Sequence, residues 1–144
     1  MQGVDGSNLP PVPNVGTVDA TVEGIDNNKN GIRDDVELEI FERYPGEENI
    51  EIRAALLQYA MALQTELVDV MDSETWVAAT QEIGRAFSCV YKAEDKKLDR
   101  AYEQADNISS LIRNTTKRGE HYEYVSEFQS SFTVHQGEGC DISF

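Results

Sequence analysis

Apolar residues recur at helical spacing along most of the chain. Val36, Ile40 and Tyr44 share one face of a short helix over 36–44, which Tyr44-Pro45-Gly46 ends. From Glu47 to Met71 the apolar positions are Ile52, Ala55, Leu56, Tyr59, Ala60, Leu63, Leu67, Val70 and Met71, a one-sided stripe that predicts a long helix. Ser73 and Glu74 start the next, with Trp76, Ala79, Ile83, Ala86, Phe87 and Val90 on its face. Asp95 is the expected cap of a third long helix carrying Leu98, Ala101, Tyr102, Ala105, Ile108 and Ile112 inward. Asn114-Thr115-Thr116 breaks it, and a last helix carries Tyr122, Val125, Phe128 or Gln129, and Phe132. Gly137-Glu138-Gly139 leads into the tail. No alternating stretch competes as a strand. Short links between one-faced helices favour antiparallel neighbours, so the expected fold is all-α, an antiparallel helical bundle. Trp76, Phe87, Phe128 and Phe132 are expected in its core.

The front of the chain reads differently. Residues 1–22 are rich in Gly, Pro, Asn, Val and Thr, contain Pro10-Pro11-Val12-Pro13, and carry no Lys or Arg. Such a segment tends toward extended conformations. It is expected to be a flexible tether, with residues 23–144 forming the folded domain.

Charge narrows the possible partners. Among 144 residues, 12 Lys+Arg face 27 Asp+Glu, a net charge of −15. Nucleic acid and anionic membranes are excluded as partners, because both are held by clustered Lys and Arg. Cations and basic partners remain. No run of about 18 apolar residues exists to span a membrane. Met1-Gln2-Gly3-Val4-Asp5 lacks the basic start and apolar stretch of a signal peptide. The tether-like front suggests an exported protein whose leader has been removed.

One segment carries specific chemistry. In Asp26-Asn27-Asn28-Lys29-Asn30-Gly31-Ile32-Arg33-Asp34-Asp35-Val36-Glu37, oxygen-bearing side chains fall at loop positions 1, 3, 5, 9 and 12, with Gly at 6. A tight loop turns alternate side chains inward, so Asp26, Asn28 and Asn30 converge. Gly31 permits the turn, Ile32 offers its backbone carbonyl, and Asp34 ligates directly or through water. Glu37, on the first turn of the exit helix, can chelate bidentately. An all-oxygen set selects calcium over zinc or copper. The competing explanation is a polar turn before a helix capped by Asp34 and Glu37, which leaves the alternation of Asp26, Asn28 and Asn30 unexplained. Upstream, Thr17–Ile25 is β-branched and Gly-interrupted, a poor helix, so the motif is a loop plus exit helix. Arg33 stands at position 8, where an aliphatic residue usually pairs with a second loop, and the chain has no second loop.

These residues resemble the calcium loops of dockerins and, more closely, of bacterial thrombospondin type 3-like repeats, which also place an aliphatic residue after the Gly. Asn30 to Glu37 behind a Pro/Gly-rich segment is also similar to the start of poorly characterised bacterial exported proteins and lipoproteins. The resemblance covers roughly residues 23–44. It implies calcium binding, an envelope location and a helical body, and no activity. A dockerin uses two such loops, so a cohesin-type partner is not implied.

Cys89 and Cys140 make an even count, which in an exported protein suggests a disulfide; two reduced thiols, Cys89 as a small buried hydrophobe, are the alternative. Catalytic patterns are missing. Neither His121 nor His135 has an acid three residues before it, as a di-metal bundle site requires, and no phosphate loop, nucleophile elbow or H-E-x-x-H occurs. Glu47/Glu48/Glu51, Asp69/Asp72 and Glu94/Asp95/Asp99 sit where carboxylates complement helix starts. Lys117-Arg118 is expected to support the last helix junction by pairing with a carboxylate, an anion site there being the alternative. The expectation is a non-enzymatic calcium-binding domain of an exported envelope protein, lipid-anchored through a removed leader in one version, with any protein partner unidentified. Its rivals are a small-ligand carrier or enzyme with a pocket between helices, and a cytosolic calcium-responsive regulator.

Overall fold

The structure is a computed structural model describing residues 3–134, 139–142 and 144. Six helices follow in order: α1 (Val15–Val18), α2 (Asp34–Arg43), α3 (Ile50–Asp69), α4 (Ser73–Ala93), α5 (Leu98–Ile112) and α6 (Thr116–Ser126), with a 3-10 turn at Glu47–Asn49. No strand occurs among the described residues, so the all-α bundle is as expected.

The organising element is α3. It packs against α2, α4, α5 and α6, and so buries more than the one stripe its sequence suggests. Besides Ala55, Leu56, Ala60, Leu63 and Leu67, it buries Arg53, Ala54, Leu57, Gln58, Ala62, Gln64 and Glu66. A helix surrounded by others has no solvent face to keep polar. Its ends differ from expectation. Asn49 bonds back to the Pro45 carbonyl at 2.6 Å, and residues 47–49 form the 3-10 turn before α3 proper. Beyond Asp69 the chain is extended, with Val70 buried and Met71 turned out, 68% exposed. The cause is the start of α4, where Asp72 and Thr75 form a reciprocal capping box and the Thr75 hydroxyl also accepts the Met71 N–H.

Two other boundaries move. Asp95 does not cap α5. Asp95 and Lys96 adopt left-handed conformations (φ 55° and 61°), a tight turn that puts Lys97 at the cap position without a side-chain bond. The buried face of α5 is Ala101, Ala105, Ile108 and Ile112; Leu98 and Tyr102 are half-exposed, Tyr102 leaning on Phe87 at 5.1 Å. Thr115 caps α6, which ends at Ser126, so Phe128 and Phe132 lie beyond it. Trp76, Phe87, Phe128 and Phe132 are only partly buried. Trp76 and Phe128 join Val70, Ala79 and Val125 in a cluster separate from the main core, and Phe132 meets Trp76 edge-on at 5.8 Å. His121 is half-buried against Tyr124; His135 and residues 137–138 lie outside the described residues.

Cys89 on α4 and Cys140 are joined as a disulfide, Cα–Cα 4.8 Å. Around it, Gln58 donates to the Gly139 carbonyl (2.7 Å), accepts the Asp141 N–H (2.9 Å), and Arg85 pairs with Asp141 (2.7 Å). Residues 139–141 are therefore fixed across α3 and α4.

The segment expected to be a tether is laid on the body. Val4 and Val18 are buried. Arg53, 3% exposed, donates to the carbonyls of Val4, Tyr44 and Gly46, each at 2.8 Å, with its guanidinium over the Phe41 ring. Arg118 on α6, fully buried, bonds the carbonyls of Val18, Thr21 and Val22 and pairs with Asp19 at 3.0 Å; Lys117 reaches the Ala20 carbonyl. The carboxylate that Arg118 pairs with thus belongs to the N-terminal segment, while at the α5–α6 junction Arg118 bonds the Asn114 amide oxygen (2.8 Å). The segment has few apolar groups of its own, and buried arginines from the bundle hold its backbone instead.

Candidate metal centre

The loop between Ile25 and α2 is closed at its neck by the Asp34 N–H on the Ile25 carbonyl (2.8 Å). Lys29 and Gly31 both adopt positive φ, 56° and 85°. A Cβ at Gly31 would come within 3.2 Å of Met61 on α3, so glycine is needed for conformation and for approach. Asp26 accepts the Asn30 N–H (3.2 Å) and the Gly31 N–H (2.9 Å), one on each oxygen. The Asn30 amide oxygen accepts the Ile32 N–H at 3.0 Å. These short-range side-chain bonds shape the loop from within.

Asp34 opens α2 but does not cap it: the cap position is Arg33, and both Asp34 oxygens accept the Asn27 N–H at 3.0 Å across the loop. The capped-turn explanation therefore fails at Asp34. Glu37, 2% exposed, accepts from the side-chain amides of Asn28 (3.1 Å) and Asn30 (2.8 Å). Asn28 also donates to the Asn8 carbonyl, while its own amide oxygen is buried without a partner. The side chain of Ile32 is fully buried in the main core.

Electrostatics separate this loop from an ordinary polar turn. Burial first, opposed by the Asn28 and Asn30 bonds, and then the negative charges of Asp34 and Asp26, hold the Glu37 carboxyl above its ordinary value. Asp34 is raised likewise, by burial and by Asp26 and Asp35, against the Asn27 N–H. No Lys or Arg enters either balance; the nearby Arg33 is turned away and paired with Asp35 at 2.6 Å. Asp34 and Glu37 are thus partly dehydrated near the charge of Asp26, with only amide N–H groups to offset them.

Among the described residues no three carboxylate, imidazole or thiol groups form a cluster that could hold a metal ion by themselves. A complete oxygen set draws on Asn28, Asn30 and the Ile32 carbonyl as well as Asp26, Asp34 and Glu37. The residues fit a hard cation in one particular respect: Asn28 turns its NH₂ toward Glu37 and leaves its oxygen unpaired, and an amide flip reverses both.

Sequence reasoning missed what anchors the loop. Fully buried Arg33 donates to the Leu111 (2.6 Å) and Ile112 (3.0 Å) carbonyls at the end of α5 and to Asn114. These are carbonyls that a helix C-terminus leaves without intrahelical partners. The position that usually pairs with a second loop here binds a helix end, and an arginine at position 8 was the available signal.

No protein-family model, curated protein or solved structure matches the chain.

Proposed function

We propose that this chain is a non-enzymatic helical domain of an exported bacterial envelope protein, stabilised by one calcium ion in the 26–37 loop. The observation that carries the reading is the charge imbalance: Asp34 and Glu37 are raised by burial and by neighbouring carboxylates, Asp26 among them, with no basic side chain to compensate. A divalent cation supplies that compensation. Asp26, Asn28, Asn30, the Ile32 carbonyl, Asp34 and Glu37 would hold it, with the Asn28 and Asn30 amides turned to present oxygen. The resemblance to dockerin and thrombospondin type 3-like loops points the same way.

A structural role is favoured over a sensor. Val36 and Ile40 of α2 are each 1% exposed in the main core, and Arg33 ties the loop to α5, so the exit helix has no second hand to open against. The Cys89–Cys140 bond supports an oxidising compartment over the cytosol. The test is thermal melting of chelated protein with and without calcium. Saturating calcium, at about 100 times its Kd, should add about 2.7 kcal/mol, and Asp26→Ala or Glu37→Gln should abolish the rise. An unchanged melting temperature at about millimolar calcium overturns the reading.

A further inference from the structure

A cleft of about 280 Å³ opens between α3, α4, α5 and α6, and no loop ligand lines it. Its polar groups are unusually unfilled. Glu66, 7% exposed, accepts no hydrogen bond among the described residues; its nearest partner is Arg113, at 3.7 Å. That distance is too long for a hydrogen bond. The Arg113 guanidinium lies 3.3 Å over the Tyr122 ring and donates no hydrogen bond among the described residues. The Thr80 hydroxyl, which also lines the cleft, is buried and unpartnered. Burial, only partly opposed by Arg113, holds the Glu66 carboxyl above its ordinary value. Buried polar groups are nearly always hydrogen-bonded, and a charge pair held apart in a low-dielectric wall is incompletely compensated. Here a loosely paired acid and base and an unpartnered hydroxyl line one space, beside apolar surface from Leu63, Ile83 and Trp76.

We propose that this cleft binds a small zwitterion, an α-amino acid with an apolar side chain. Its ammonium donates to Glu66 and Thr80, its carboxylate accepts from Arg113, and its side chain lies against Leu63, Ile83 and Trp76. A ligand with both charges satisfies both ends of the loose Glu66–Arg113 pair, whereas a single charge leaves the other end unsatisfied. The inference is independent of the calcium loop and uses none of its residues.

Trp76 is the only tryptophan of the chain and lines the cleft, so its emission reports occupancy directly. L-leucine and L-phenylalanine are titrated into the intact protein and followed by Trp76 emission and by calorimetry. The expected result is a saturable emission change with matching heat. Affinity should fall at least about tenfold in Glu66→Gln and Arg113→Gln, each checked for unchanged helicity. The same loss is expected in the unaltered protein with phenethylamine or 3-phenylpropionate, which each keep one charge. No saturable change up to about 10 mM leaves a water-filled cleft and overturns the proposal. Equal binding of phenethylamine overturns the zwitterion, and binding unaltered in both variants overturns the site.

Discussion

The region before α3 and the α3–α4–α5 core are stabilised in opposite ways. In the core, leucine, isoleucine, valine and alanine from several helices meet around α3. Such packing needs no particular partner atom, only apolar area and fit. From residue 3 to residue 33 the chain has one four-residue helix, and backbone carbonyls along it are held by two arginines that belong to other parts of the fold. Arg53 reaches Val4, and Arg118 reaches Val18, Thr21 and Val22, while the segment's own Arg33 ties the loop to α5. A backbone without regular partners needs donors from elsewhere, and a guanidinium offers five in a fixed fork. The two designs should therefore fail differently.

The largest effect expected is from Arg33→Met, which leaves the α5 carbonyls and Asp35 without their partner. A loss of about 3–5 kcal/mol is anticipated, and the calcium response should weaken with it, because the loop loses its anchor. Denaturant unfolding with and without calcium measures both; a response of unaltered size would detach the loop from this anchor. Leu56→Ala, in the core at 1% exposure, should cost about 2–5 kcal/mol and leave the calcium increment as it was. Replacing both Cys89 and Cys140 by serine opens a 51-residue loop. The cost should be at most about 4 kcal/mol, with enhanced proteolysis confined to the tail. Cleavage at the N-terminal segment instead would show the two ends to be coupled.

The smallest effect concerns pH. Glu66 has a folded-state pKa above its ordinary value of 4.5, through burial. Ionising it therefore costs native stability: its contribution is fully present below 4.5 and is lost as pH rises through the raised folded value. Glu66→Gln should gain melting temperature relative to the unaltered protein as pH rises from about 4 to 7. A constant difference between the two across that range would contradict the burial argument.

Much of the helical layout was legible in the residues. Apolar spacing marks α2 through α6, and the turn chemistry at Pro45-Gly46 and Asn114-Thr115 separates them, because a helix must bury a face of fixed period. The alternating Asp26, Asn28 and Asn30 with Gly31 marks the loop for the same kind of local reason. The departures arise where specific hydrogen bonds or packing override the apolar spacing. Met71 turns out because Thr75 takes its N–H. Tyr102 stays half-exposed, covered on one side only by Phe87 of α4.

What the sequence by itself determined, then, is whatever depends on near neighbours: helix periods, the loop's internal bonds and the all-α class. Only the tertiary structure decided the rest. It surrounded α3, brought Cys89 to Cys140, placed Glu66 and Arg113 in one cleft, and laid residues 3–22 onto the bundle. Those outcomes join residues far apart in the chain, and Arg118 shows why they escape local patterns: its partners lie almost a hundred positions away, so nothing beside it in sequence specifies them.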